Sequence, residues 1–125
     1  TLGKQQELKI YGNDYNTIDG TCIRDFIHVV DLANGHISSI KKLNEPGVHI
    51  YNLGTGIGIS VLQLVKTFMT TNNININYNF TERRAGDIPI CFANVDKAKN
   101  ELGWSVKKSV SDACMDAFKF NFRTI

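Results

Sequence analysis

Asp19-Gly20-Thr21-Cys22-Ile23-Arg24-Asp25-Phe26-Ile27-His28-Val29-Val30-Asp31 is the stretch from which the rest of the chain is read. Asp19, Gly20 and Thr21 have turn chemistry. A short strand follows and passes into a helix. Alternation places Arg24, Phe26 and His28 on one face of the strand and Ile23, Asp25 and Ile27 on the other. An arginine in an otherwise apolar strand needs an anionic partner, because burying a lone guanidinium is costly. Two partners suit it: Asp25 or Asp19 in a structural ion pair, or a phosphate gripped by the guanidinium fork.

Around this stretch the pattern alternates between strands and helices, which is the signature of an α/β fold. Upstream, Leu8-Lys9-Ile10-Tyr11 reads as a short strand stopped by Gly12-Asn13-Asp14. Downstream, Leu32, Ala33, His36, Ile37, Ile40 and Leu43 recur at helical spacing. Asp31 in the first turn of that helix complements its dipole, and Glu45-Pro46-Gly47 ends it. Val48 to Leu53 is a compact run expected to form a buried strand. Ser60-Val61-Leu62-Gln63 opens a helix with a capping-box pattern, and Val61, Leu62, Leu64, Val65, Phe68 and Met69 form its apolar face. An asparagine-rich loop from Thr70 to Asn75 leads to a strand over Ile76 to Phe80. A charged segment, Thr81 to Ile90, contains Arg83-Arg84-Ala85-Gly86-Asp87-Ile88-Pro89. A short helix over Val95 to Leu102 is closed by Gly103. Ser109, with Asp112 three residues on, caps a last helix through about Phe122. Trp104 and the phenylalanines of that helix are core positions, and His28 is a structural histidine with satisfied hydrogen bonds.

The segment Gly54-Thr55-Gly56-Ile57-Gly58-Ile59-Ser60, between a strand and a helix, imitates a dinucleotide-binding fingerprint. No starting glycine yields G-x-G-x-x-G. Ile74 stands about 20 residues on, where a ribose-binding acid is required. The segment is read as a tight strand–helix connection, without a cofactor role.

At 125 residues with 42% hydrophobic content, the chain is long enough for one domain with a real core. A formal charge of +2 supplies no basic stripe, which argues against nucleic-acid or membrane partners. No apolar run is long enough to span a bilayer, and no signal-peptide pattern occurs. Cys22, Cys91 and Cys114 are odd in number, widely spaced and free of C-x-x-C, so neither a disulfide framework nor a metal site is expected. A reducing, cytoplasmic compartment suits them.

Several motifs now stand in one order: Gly12-Asn13-Asp14-Tyr15, Asp19-Gly20-Thr21, Arg24-Asp25-Phe26-Ile27-His28-Val29 and Asp31-Leu32-Ala33. Tyr51-Asn52-Leu53-Gly54, Arg83-Arg84-Ala85-Gly86-Asp87 and Glu101-Leu102-Gly103-Trp104 complete it. Over nearly its whole length the chain resembles the C-terminal part of the UDP-glucose 4-epimerases, which are extended short-chain dehydrogenases/reductases. The resemblance implies a C-terminal nucleotide-sugar-binding domain, a small mixed sheet with helices, spanning residues 1–125. It implies a preceding Rossmann domain that binds NAD and lies outside this chain, with residues of roughly 30–70 packing back onto it. The family's catalytic tyrosine and lysine, from a Y-x-x-x-K motif, also belong to that domain. No catalytic, cofactor-binding or metal-binding residue is therefore expected here, and the isolated chain should be inactive.

The substrate-binding residues implied by the resemblance are Lys9, Ile10, Tyr11, Arg24, Phe26, Arg84, Asp87 and Cys91. Arg24 and Arg84 align with arginines placed on the diphosphate. Asp87 aligns with an acid that accepts from the ribose hydroxyls; the alternative is an ion pair with Arg84. The backbone of Lys9-Ile10-Tyr11 aligns with the strand that reads uracil, and Tyr11 flanks the base. Phe26 stands where many relatives carry a tyrosine, so it keeps the packing and loses a hydrogen bond worth about 0.5–1.5 kcal/mol net. Cys91 aligns with a hexose-pocket position that varies between a large tyrosine and small residues; the plainer reading is a small buried strand residue. Arg83 is assigned a solvated or structural role.

The implied activity is interconversion of UDP-galactose and UDP-glucose through a transient 4-keto sugar and tightly bound NAD, extended to the N-acetyl pair. The resemblance also implies a homodimer. Two alternatives remain at this level: a UDP-pentose (arabinose/xylose) 4-epimerase, and a catalytically silent UDP-sugar-binding module.

Overall fold

The turn that opens the central stretch is closed by its own side chains. The Thr21 N–H and hydroxyl both donate to Asp19 Oδ1, at 3.0 and 2.7 Å. Gly20, at φ +79°, turns the chain where a side chain would meet the Asn13 backbone. In this computed structural model, which describes residues 6–122 (Phe122 by its backbone only), short strands and helices follow one another in an α/β arrangement. Strand β1 is Leu8–Tyr11 and β2 is Ile23–Arg24. Helix α1, Val29–Ser39, continues as a 3-10 turn over Ile40–Asn44. Strand β3, Ile59–Ser60, leads directly into α2, Val61–Asn72. Then come β4 Tyr78–Thr81, β5 Ile90–Cys91, α3 Asp96–Leu102 and α4 Val110–Phe122.

The strands form two small sheets. β1 and β4 pair in parallel, Leu8 opposite Tyr78 and Tyr11 opposite Thr81. β2 lies between β3, antiparallel, and β5, parallel. Arg24 therefore stands directly opposite both Ile59 and Cys91. Residues opposed in a ladder share a face, so the three side chains lie in one row.

Helix ends follow the sequence signals. Ser60 Oγ accepts from the Gln63 N–H while Gln63 Oε1 accepts from the Ser60 N–H, completing the capping box of α2. The same reciprocal pattern joins Ser109 and Asp112 at the start of α4. Gly103, at φ +64°, closes α3. Helix α2 runs further than its sequence suggests, through Thr70–Asn72, and stops at Asn73 in the left-handed region (φ 50°). Asparagine tolerates that conformation. The side chain of Asn72 also donates to the Phe68 and Cys114 carbonyls, tying α2 to α4. The following strand is accordingly shifted, to Tyr78–Thr81.

Three expectations need correction. First, the alternating face ends after Arg24. His28 is the N-cap of α1: its Nδ1 accepts from the Val30 N–H at 3.0 Å. That leaves Nε2–H to donate to Asp116 Oδ2 at 3.1 Å, so the buried ring bridges α1 to α4 with both nitrogens satisfied. Second, the apolar stripe of the first helix is not its buried face. Asp31 and Gly35 point inward, whereas Val29, Ile37, Ile40 and Leu43 point out. The helix comes so close to the core at Gly35 that a Cβ there would lie 2.7 Å from Leu53 Cδ1 and 3.2 Å from Trp104, so the Leu53 side chain would have to shift. Third, Val48–Leu53 forms no strand among the described residues. Tyr51 and Leu53 turn inward to the core while Val48 and Ile50 are 89% and 71% exposed.

That core is Ala98, Leu102 and Trp104, with Ile27, Tyr51, Leu53 and Val106 packed on it. A second layer joins α2 to α4 through the edge-to-face pair Phe68–Phe118, with ring centroids 6.0 Å apart. Of the other phenylalanines in α4 read as core, Phe120 is 72% exposed, and the side chain of Phe122 lies outside the described residues. Placing a methyl group at the closest helix–core approach should cause overpacking. Gly35→Ala is expected to destabilise the protein by about 1–3 kcal/mol in urea unfolding.

Candidate functional site

The candidate site is assembled on the row containing Arg24. From β2 its guanidinium reaches back to the Ile23 carbonyl, with NH1–O 2.8 Å, and forward to Asp87 Oδ1, with NH2–O 3.8 Å. Neither intramolecular partner read from the sequence is used. Asp19 is engaged by Thr21 and by the Ser60 hydroxyl, and Asp25 by a separate loop.

Arg84 and Asp87 are brought together by a turn. The Asp87 N–H donates to the Arg84 carbonyl at 3.3 Å, and Gly86 supplies a φ of +87°. Arg84 Nε then meets Asp87 Oδ2 at 3.0 Å, and NH2 meets Oδ1 at 3.4 Å. This ion pair and its hydrogen bond raise the Arg84 pKa above its ordinary value. The Arg84 guanidinium also lies 4.8 Å from the centroid of the Tyr11 ring. Tyr11, Arg24 and the Arg84–Asp87 turn, from three segments of the chain, thus form one cluster with two guanidinium groups and one carboxylate.

Arg83 is pinned elsewhere, which agrees with a structural role. Its Nε and NH2 donate to the Asp14 carboxylate and carbonyl at 2.7 and 2.6 Å, and its guanidinium stacks 4.1 Å from the Tyr15 ring centroid. A groove of about 600 Å³ lined by Asn13, Asp14, Phe80, Thr81, Glu82 and Arg83 runs beside this clasp.

The other expected residues take distinct places. Cys91 is on a strand but exposed, so it is not a buried packing residue, and it shares a face with Arg24. Ile59, opposite Arg24 on β3, belongs to the same row; only the strand register could find it. Phe26 is half-buried two residues beyond Arg24, Lys9 is exposed, and Ile10 is buried. The N–H groups of Leu8 and Gly12 bond to the Asn77 and Thr81 carbonyls of the β4 side. By the two-residue period of a strand, the N–H groups of Lys9 and Tyr11 point to the opposite edge of β1, where a base could pair with them.

The fingerprint-like loop is occupied by a side chain. Asp25 Oδ1 accepts from the Thr55 N–H and hydroxyl at 2.8 and 2.6 Å, and Oδ2 accepts from the Gly56 and Ala93 N–H groups at 3.0 and 3.2 Å. The N-terminus of α2 is filled as well. The Val61, Leu62 and Gln63 N–H groups go to Cys22 O, Thr21 Oγ1 and Ser60 Oγ. The donors that a dinucleotide phosphate would need are therefore already taken, and this loop does not fit NAD. Sequence reading missed this role of Asp25. The signal was a carboxylate in an apolar strand near a loop rich in N–H donors. Among the described residues, no three His, Cys, Asp or Glu side chains converge to hold a metal ion. Among the same residues, no helix is long and apolar enough to cross a membrane.

A family model described as GDP-mannose 4,6 dehydratase matches residues 1–117. The chain belongs to that family. Within it, the chain is similar to UDP-glucose 4-epimerase of Bacillus subtilis (strain 168), with 49% identity over 120 residues covering 95% of this chain and 35% of that protein. Among solved structures it is similar to UDP-glucose 4-epimerase from Bifidobacterium longum in complex with NAD+ and UDP, at a TM-score of 0.92 and 42% identity, covering 97% of this chain and 36% of that one. It also matches the UDP-Glc/GlcNAc 4-epimerase of Campylobacter jejuni at a TM-score of 0.84 and 34% identity, covering 97% of this chain and 37% of that one. The chain thus spans about 35% of the length of the curated relatives it matches. Its small α/β architecture is the corresponding part of these Rossmann-type enzymes.

Burial alone would raise the Asp25 pKa, but the hydrogen bonds from Thr55, Ala93 and Gly56 outweigh it and hold the carboxyl below its ordinary value. A depressed folded-state pKa contributes stability that is present above the unfolded value near 3.9 and lost as pH falls through the folded one. Asp25→Asn should remove this component. Urea midpoints measured from pH 7 down to pH 3 are expected to fall less steeply in the variant than in the parent.

Proposed function

We propose that this chain is the C-terminal, UDP-sugar-binding part of an NAD-dependent UDP-hexose 4-epimerase, an isomerase that interconverts UDP-galactose and UDP-glucose. The observation that carries this reading is the convergence of Arg24 and Arg84 beside Tyr11 and Asp87. Two guanidinium groups match the charge of a diphosphate, and their forks orient it. Asp87 accepts from the ribose cis-diol. The open edge of β1 offers the backbone of Lys9 and Tyr11 to uracil, with the Tyr11 ring flanking the base. Phe26 supplies packing alone.

Binding energy is thereby concentrated on the nucleotide end. The hexose is left without charged anchors in this chain, as a sugar that must present both faces to the hydride acceptor requires. NAD, when bound, supplies that acceptor at carbon 4. The residues that hold it lie outside this chain, since the glycine loop here is filled by Asp25. The exposed apolar stripe of Val29, Ile37, Ile40 and Leu43, continued by Val48 and Ile50, is the surface that docks on that NAD-binding domain. The Val48–Leu53 segment, β-rich in sequence, finds its strand partner there. The intact protein is read as a cytoplasmic homodimer acting in galactose metabolism, with no nucleic-acid or membrane partner.

In the intact protein, Arg24→Ala and Arg84→Ala should each weaken UDP binding roughly 10- to 100-fold, as for truncating one side of a desolvated charge pair. Lysine at either position should restore only part of it, being a point charge without a fork. Calorimetric titration with UDP measures both, and parent-like binding by an alanine variant would remove that arginine from the diphosphate site.

Cys91 faces the same side as Arg24 and leaves room beside carbon 2 of the sugar, so the N-acetyl pair of substrates is accommodated as well. Cys91→Tyr should abolish turnover of UDP-N-acetylgalactosamine and largely spare UDP-galactose, because overfilling penalises the bulkier substrate. The readout is the ratio of kcat/KM for the two substrates. An unchanged ratio would sink this role for Cys91.

A further inference from the structure

Asp87 is placed oddly for a group whose only task is to meet a ribose. Its side chain is 19% exposed, and both of its oxygens face guanidinium groups: Oδ2 lies 3.0 Å from Arg84 Nε, and Oδ1 lies 3.4 Å from Arg84 NH2 and 3.8 Å from Arg24 NH2. The turn from Arg84 to Asp87 enforces this position, and the Tyr11 ring lies against the guanidinium of Arg84. The carboxylate therefore stands where the phosphate oxygens of a ligand would have to go. With Asp87 in place the cluster carries one net positive charge; with Asp87 turned away, two positive charges face the ligand.

We propose that Asp87 determines ligand selection at this site: its carboxylate, bonded to Arg84 and facing Arg24 at 3.8 Å, yields its place only to a diphosphate that also carries hydroxyl donors. The proposal rests on the reading of Arg24 and Arg84 as the diphosphate grip. A bare diphosphate must displace the carboxylate and then leaves it beside a second anion with no donor, at a cost in repulsion and desolvation. A nucleoside diphosphate brings a vicinal diol whose O–H groups donate to the displaced carboxylate, so the exchange is balanced. Discrimination arises from penalising the wrong ligand, not from extra contacts to the right one. Asparagine at this position keeps the size and one accepting oxygen but carries no charge to hold the guanidinium groups.

The test is calorimetric titration of the full-length protein and its Asp87→Asn variant with UDP and with inorganic diphosphate. The parent is expected to prefer UDP strongly. In Asp87→Asn, inorganic diphosphate should bind about tenfold tighter or more, UDP should bind no tighter than before, and the ratio between them should fall accordingly. Asp87→Ser, which also removes the charge, should tighten diphosphate binding in the same direction if the asparagine variant is poorly folded. Diphosphate affinity that is unchanged or weaker in a folded variant overturns the proposal while leaving the diphosphate grip intact. A parent that binds no UDP overturns the grip itself, and this proposal with it.

Discussion

The carboxylate of Asp25 is the constraint on which the rest of the structure depends. It lies within the first turn of chain after β2, and its two oxygens accept from the loop before β3 and from the residue two beyond Cys91. One side chain thus holds both neighbours of β2 in place. Strands of two residues each have too few ladder hydrogen bonds to set their own register. Hydrogen bonds from four donors to a half-buried anion supply what the ladder cannot. The same interaction fills the one loop that imitates a cofactor cradle, so the structural role of Asp25 and the engagement of that loop's donors have a single cause.

Two further aspartates in the same stretch act alike. Asp19 binds Thr21 and the Ser60 hydroxyl, which joins the opening turn to the cap of α2. Asp31, 2% exposed, accepts from the Lys107 and Lys108 N–H groups through its carboxylate and from Trp104 Nε1 through its carbonyl. At spacings of six residues, the three acids therefore gather the middle and the C-terminal third of the chain around β2 and α1. Arg24, between the first two, bonds the Ile23 carbonyl at 2.8 Å and has Asp87, at 3.8 Å, as its carboxylate partner. Its neighbours' commitments keep it available.

The surface divides according to the same logic. On one side, arginines and a tyrosine are arranged on turns and strand ends that are locked by backbone hydrogen bonds. On another, a helix buries its small and acidic residues and turns its valine, isoleucine and leucine outward. That inversion is intelligible for a chain spanning about a third of its relatives' length, because an apolar face left exposed in one part is the natural counterpart of another.

Much of this was legible in the sequence, and the remainder was not for identifiable reasons. Local chemistry alone determined the capping boxes at Ser60 and Ser109, the Gly103 stop and the turn at Asp19, since each depends on residues within four positions of one another. The motif order determined the family. Only the tertiary structure decided that Asp25 belongs to the loop at Thr55, that Cys91 and Ile59 flank Arg24, and that His28 reaches Asp116. Each of these joins residues thirty or more positions apart or depends on strand register, which a period-two pattern of two residues cannot encode. The outward stripe of α1 shows the limit from the other side. Periodicity reports which face of a helix is apolar, but which face meets this chain's own core depends on tertiary contacts such as the close approach at Gly35 and the bonds made by Asp31.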